Sequence, residues 1–491
     1  VILVQGSVGT GKTLLGIEFI YRGITEFDEP GIIVVFETSP EKLIRDAASF
    51  GWDLEKLQSG KKLQIIFTSP QVLDHELRSP DSLLLETAVE MGARRIFVDG
   101  IGLLRRSSNG DGPLRLKDPE SYRELLQQLV EGLNRQNLTA MLSHELGAVP
   151  DSRATAEAAG FIADTVIQLY RTRQGRSSHR GIEIIKSRGQ DYVSGEHTLR
   201  ITPGNGLQVF RRVQAPLPST VQPTSSAKRS VTGLAALDTL IGGGLFDGST
   251  TMVVGVSGVG KTVLGTHLLG EGAAQLGKRG LLVSLDEHPA QIIRNAETLG
   301  LNLQELMDAG KIQILFESPQ ELDIDAHYNR IIRTIEEHDI QRLVIDGTTS
   351  YSTAIGDLAV YRDFFHAIVA YTKHRLMTTF FNYENPEFLG LSTFMPDFPV
   401  SSIVDNIILL NLVEVNSTLR RCLTVVKARG CAHECDSREY VIGQGGINLV
   451  PLSEAKAPSL PFASYSSILS RAPTRLHTPR RQNGAALPAS R

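Results

Sequence analysis

Two octapeptides have the make-up of a polyphosphate cradle: Gly6-Ser7-Val8-Gly9-Thr10-Gly11-Lys12-Thr13 and Gly255-Val256-Ser257-Gly258-Val259-Gly260-Lys261-Thr262. Glycines without side chains let successive backbone N–H groups point inward at phosphate oxygens, with a lysine to meet the β and γ oxygens. The threonine that follows offers its hydroxyl to Mg²⁺. The pattern makes Gly6, Gly9, Thr10, Gly11, Lys12 and Thr13 one set of nucleotide-binding candidates. Gly255, Ser257, Gly258, Val259, Gly260, Lys261 and Thr262 form the other. An empty glycine turn is the bland reading of one such loop; two in one chain argue for two ATP sites.

Carboxylates complete this chemistry. The runs Arg95-Ile96-Phe97-Val98-Asp99 and Arg342-Leu343-Val344-Ile345-Asp346 read as Walker B strands, whose aspartates hold Mg²⁺ through its water shell together with Thr13 and Thr262. Glu37, and Asp286 with Glu287, follow apolar strands at nearly equal distances from their lysines. A carboxylate there can accept a proton from an attacking hydroxyl or water; its bland alternative is a solvated strand end or a helix cap. Each half then closes on two cations flanking one residue, Lys186-Ser187-Arg188-Gly189 and Lys427-Ala428-Arg429-Gly430. Solvated charge is the bland reading of a single copy, and repetition weighs against it.

The positioning elements follow from period and punctuation. A strand precedes each loop (residues 1–4 and 251–254) and a helix-length amphipathic stretch follows it (13–23 and 262–272). Second strands run over 32–36 and 280–285, and further helix-then-strand pairs over 122–134 with 139–143 and 361–373 with 377–382. This alternation predicts an α/β fold: two tandem P-loop domains, each a mainly parallel sheet covered by helices on both faces, with ligands at the carboxyl ends of the strands. Residues 1–212 form the first domain, 213–229 a linker rich in proline and serine, 230–452 the second domain, and 453–491 a disordered basic tail. Because the chain opens with Val in mid-strand, the first domain reads as incomplete at its N-terminus.

Composition narrows the function class. A formal net charge of −4 gives no global attraction to polyanions, so nucleic acid is not expected as a partner. Three cysteines exclude a disulfide framework, and no apolar run reaches the roughly 18 residues of a membrane span. A cytoplasmic location fits best. The stretch Cys431-Ala432-His433-Glu434-Cys435 lacks the four ligands of a structural zinc site and reads as a loop beside Arg429. Ser143-His144-Glu145 closes a strand near the first site, either sensing phosphate or capping the strand.

Tandem loops, acidic strand tips and paired Lys-x-Arg-Gly ends resemble the RecA-like ATPases of the KaiC family, the circadian-clock ATPase and autokinase. The resemblance covers nearly the whole chain, including Ser49-Phe50-Gly51-Trp52-Asp53-Leu54 and the domain-opening Gly242-Gly243-Gly244-Leu245. It implies a homohexameric ring with ATP at protomer contacts, and Lys186, Arg188, Lys427 and Arg429 as stabilisers of charge on the neighbour's γ-phosphate. It also implies Kai-type or other signalling partners. Ser401 and Ser402, in Ser401-Ser402-Ile403-Val404-Asp405-Asn406, resemble the family's adjacent phosphoacceptors; by residue type alone they would be an ordinary polar loop. Residues 467–475 are similar to its C-terminal regulatory segment. Where the family has two adjacent glutamates at the first strand tip, this chain has Glu37-Thr38; the second half has Asp286-Glu287.

The expected function is therefore ATP hydrolysis by the first domain and serine autophosphorylation by the second. A DNA-dependent RecA-type or ring-helicase motor shares the nucleotide machinery, but the acidic balance and the lack of a zinc module weigh against it. A scaffold that binds nucleotide with little turnover is the third reading.

Overall fold

The computed structural model describes residues 1–78, 82–107, 115–116, 119–147, 150–174, 177–214, 226–385, 402–415 and 418–450. Ser401, most of the expected linker and the expected tail lie outside the described residues. The chain divides into two compact units, Val1–Gln214 with Asp323–Ile332, and Ala215–Leu322 with Arg333–Arg491.

In the first unit, β1 (Ile2–Gly6) leads into α1 (Lys12–Phe27), followed by β2 (Gly31–Val35), α2 (Pro40–Ala48), β3 (Leu63–Phe67) and β4 (Arg95–Val98). Then come α3 (Pro119–Arg135), β5 (Thr139–Glu145), β6 (Thr165–Gln174), β7 (Ser177–Ser187), β8 (His197–Thr202) and β9 (Gly206–Phe210). The nine strands form one sheet in the order β9-β8-β7-β6-β1-β5-β4-β2-β3. Pairing is parallel from β6 to β3 and antiparallel from β6 to β9.

Helices on both faces account for strands that are apolar throughout. Residue alternation sends Val4, Ile33, Phe97 and Met141 to the cluster under α1, and Leu3, Ile32, Ile96 and Leu142 to the cluster under α3. With both sides dry, every position of β2 is buried.

The second unit repeats the plan. Its strands are β10 (Thr250–Gly255), β11 (Gly280–Ser284), β12 (Ile312–Phe316), β13 (Arg342–Asp346), β14 (Thr378–Glu384), β15 (Asn406–Val415), β16 (Thr418–Ala428), β17 (Arg438–Gly443) and β18 (Gly446–Leu449). Their order, β12-β11-β13-β14-β10-β15-β16-β17-β18, matches that of the first sheet position for position. Among its helices are α4 (Lys261–Gln275), α5 (Pro289–Thr298), α6 (Thr348–Ile355) and α7 (Leu358–His374). Sequence alternation anticipates the parallel part of each sheet. The antiparallel extension beyond β6 and β15 is the added feature, and it carries both Lys-x-Arg-Gly ends.

Candidate functional site

Each cradle begins where the central strand ends. Gly6 lies level with Glu145 on β5 and Leu169 on β6, and Gly255 with Glu384 on β14 and Leu410 on β15. At Gly11 and Gly260 the backbone takes φ of 105° and 106°, a left-handed geometry that costs a residue with Cβ but not glycine. The helix starts at the next residue, the lysine. Its first-turn N–H groups have no intrahelical acceptors, so the loop ends in a concentration of donors suited to an anion.

The lysines lie across these loops. Lys12 Nζ donates to the carbonyls of Gly6 and Ser7, both at 2.9 Å; Lys261 Nζ donates to Gly255 at 3.0 Å and Val256 at 2.9 Å. Partial burial holds both ammonium groups below their ordinary range. Glu145 and Asp99 oppose that shift in the first unit, and Glu384, Asp346 and Asp286 in the second.

The Walker B aspartate of the first unit meets the loop threonine, Thr13 Oγ1 donating to Asp99 Oδ2 at 2.8 Å. In the second, Thr262 Oγ1 turns instead to Glu287 Oε1 at 3.4 Å, while Asp346 accepts from Asn382 Nδ2 at 3.0 Å. A hydroxyl beside carboxyl oxygens is the donor set of a hard divalent cation, so these residues fit Mg²⁺. Ser143, left open by its sequence between phosphate sensing and strand capping, contacts the Walker B aspartate: its Oγ donates to Asp99 Oδ1 at 2.5 Å and accepts from Gly100 N at 2.8 Å. Asn382 is its counterpart. Both lie two residues before the glutamate that ends β5 or β14, a coincidence visible in the duplicated sequence.

Glu37 is exposed at the tip of β2. At the matching tip, Asp286 and Glu287 are both held above the usual carboxylate range. Burial is the first cause, and the neighbouring Asp346 charge adds to it. Asp286 Oδ1 accepts a 2.5 Å hydrogen bond from Ser350 Oγ at the start of α6. A cavity of about 380 Å³ opens here, lined by Lys261, Thr262, Asp286, Glu287, Asp346 and Glu384 among others. Its counterpart in the first unit, about 420 Å³, runs from Thr13 and Thr38 past Lys42 and Asp46 to Phe50.

The Lys-x-Arg-Gly ends are not at these cavities. Lys186 pairs with Val166 on β6, whose neighbour Thr165 is level with Ile2, the opposite end of β1 from Gly6. Four residues of strand separate the two ends, about 13 Å. Lys186 Nζ donates to the carbonyls of Gly160 at 3.0 Å and Ala163 at 2.7 Å, and Arg188 donates to Phe161 O at 3.1 Å. The second unit repeats this: Lys427 donates to Val404 O and Arg429 to Ser402 O, both at 2.8 Å. Asp164 and Asp405 anchor the two ends, lying 4.0 Å from Arg188 and 3.8 Å from Arg429. Ser402 is exposed and, through its carbonyl, belongs to the Arg429 end of the sheet rather than to the Lys261 cavity.

Cys422 is buried on β16, and Cys431 and Cys435 follow Arg429 in a loop. Among the described residues no helix is long and apolar enough to cross a membrane.

Comparison with known proteins gives the same duplication. A family model described as "ATPase: KaiC" matches residues 1–214 and again 230–454. The circadian clock oscillator protein KaiC of Picosynechococcus sp. (strain ATCC 27264 / PCC 7002 / PR-6) is 31% identical over 96% of this chain and 88% of its own length. That of Parathermosynechococcus lividus is 32% identical over 97% of this chain and 84% of its own length. Circadian clock oscillator protein KaiC 1 of Synechocystis sp. (strain ATCC 27184 / PCC 6803 / Kazusa) is 30% identical, with 96% and 88% covered.

Proposed function

The chain belongs to the KaiC ATPase family, and from that premise we propose that it works as a ring of identical chains, hydrolysing ATP in its first unit and phosphorylating its own serines in its second. The observation that carries this reading is the placement of the paired cations. Lys186 with Arg188, and Lys427 with Arg429, sit at the end of each sheet away from its own phosphate loop. Within one chain they are too far to stabilise charge on the nucleotide. In a head-to-tail ring the same strand end faces the next protomer's cavity.

In the first unit Glu37 accepts a proton from the attacking water while Lys12 and the loop N–H groups hold the leaving phosphates. Thr13 with Asp99, and Thr262 with Asp346, would hold Mg²⁺, which when bound would supply positive charge to the phosphate oxygens. In the second unit Asp286, with Glu287 beside it, takes the proton of a serine hydroxyl. Ser401 and Ser402 are the acceptors, and the bond from Arg429 to the Ser402 carbonyl supports their delivery together with the finger. Relatives named circadian clock oscillator proteins favour a signalling role, with Kai-type or other signalling proteins as the proposed partners.

The test is to incubate the full chain with Mg-ATP, map phosphosites and measure assembly size. Phosphate on Ser401 or Ser402 within a ring is expected. Intact rings with neither serine modified would end the autokinase reading, and full turnover by a lone protomer would end the shared-site reading.

One observation favours a second reading for the first unit. Thr38 stands where the second unit has Glu287, so this site has a single carboxylate at its strand tip. If Glu37→Gln leaves ATP turnover unchanged, the first unit is a nucleotide-held scaffold.

A further inference from the structure

Duplication supplies an internal comparison at the strand-tip carboxylate. The turn after each Walker B strand holds a glycine in left-handed geometry, Gly100 at φ 86° and Gly347 at φ 80°. Three residues further on stands Leu103 in the first unit and Ser350 in the second. The facing strand tip carries Glu37 in the first and Asp286 in the second. Long stem thus goes with leucine, and short stem with serine.

The contacts follow the same division. Leu103 packs against the apolar cluster under α3, and its Cδ1 is 3.3 Å from where a side chain on Gly100 would begin. In the second unit a side chain on Gly347 would instead collide with the Asp286 carboxylate. That carboxylate is drawn into the turn and held there by Ser350 Oγ at 2.5 Å. Aspartate is one methylene shorter than glutamate, a difference of about 1.5 Å. A displacement of that size at a reacting group costs on the order of 100-fold in rate when it is not compensated.

We propose that Ser350 is a positioning residue for phosphoryl transfer in the second unit, fixing the short Asp286 carboxylate in the place that the longer stem of Glu37 reaches unaided. The step it serves is balanced. The acceptor oxygen forms a bond to Pγ as its proton passes to Asp286, and the bond from Pγ to the bridging oxygen breaks, leaving the electron pair on ADP. The inference rests on the reading of Asp286 as proton acceptor.

The experiment uses the full chain carrying Glu37→Gln, which suppresses chemistry in the first unit. With γ-labelled ATP, label is followed both onto protein and into inorganic phosphate, so cleavage is counted whichever acceptor is used. Ser350→Ala is expected to lower kcat about 10-fold while KM for ATP stays within about twofold, because positioning rather than binding is lost. Ser350→Thr, which keeps the hydroxyl, should retain the parent rate. Adding Asp286→Glu to Ser350→Ala should recover most of the loss, which a merely structural serine would not allow. A parent rate in Ser350→Ala, or a loss that neither Ser350→Thr nor Asp286→Glu repairs, overturns the positioning role. Asp286→Asn separates the two layers: if it keeps the parent rate, the proton-acceptor reading has failed, and the positioning role falls with it.

Discussion

At the residue scale, the second-unit carboxylates differ from Glu37 in surroundings more than in kind. Glu37 is exposed at a strand tip; Asp286 is exposed as well but is bonded by Ser350, and with the half-buried Glu287 it lines a cavity beside Asp346 that holds both carboxyls above the usual carboxylate range. Glu37→Gln should slow phosphate release from the first unit by about 10²-fold or more, since a positioned base contributes at least that much. Equilibrium ATP binding should be unaffected, and comparing the two measurements checks the assignment. His144 offers a different test. It is 1% exposed, its ring lies under Gly102, and neither ring nitrogen has a partner among the described residues. Burial, with the nearby Lys12 cation, lowers it from its ordinary 6.5 to about 4. The unfolded chain therefore takes up a proton that the folded chain refuses. This term is absent above about pH 6.5 and removes stability as pH falls toward 4, by about 3 kcal/mol at full extent. Denaturant unfolding at pH 7 and pH 5 should show the loss in the parent chain and a smaller one in His144→Phe.

At the element scale, α7 shows a side-chain cap at its start and a dry face along its length. Asp357 precedes α7 and accepts from Ala359 N at 2.7 Å and Val360 N at 3.3 Å, satisfying two donors that the helix leaves over. Asp357→Ala should cost about 1 kcal/mol in urea unfolding. Further along α7, Phe365 is fully buried and meets Tyr351, Tyr361, Phe364 and Phe381 edge-on at centroid distances of 4.8–5.7 Å. Phe365→Ala should cost about 3–5 kcal/mol, because such a packed site cannot collapse around the void. Val360, 37% exposed on the same helix, should tolerate alanine within about 0.5 kcal/mol. Comparing the two separates core packing from helix propensity.

At the scale of the whole molecule, the question is which chain completes which cavity. Arg429→Ala should lower label transfer by the second unit about 10³-fold, as loss of an arginine finger does. Lys261→Ala should abolish it through loss of phosphate binding. If fingers act on the next protomer, mixing the two inactive chains restores activity that neither has alone; a mixture as dead as its parts would mean that each chain is self-contained. How much of this was legible beforehand depends on distance along the chain. The phosphate loops, the Walker B aspartates and the parallel strands were readable because each is a short pattern whose chemistry lies within a few residues, as is the duplication that repeats them. The hydrogen bond from Ser350 to Asp286 spans 64 residues, and that from Ser143 to Asp99 spans 44. Both depend on strand register and on the path of a turn, which local period does not encode. The antiparallel extension beyond β6 and β15 was likewise hidden, and it alone puts the paired cations at the far end of the sheet. Residue type and spacing thus determined which chemistry the chain carries. Tertiary pairing decided which groups meet, because side-chain reach is only a few ångströms and the sheet order fixes which strand ends come within it.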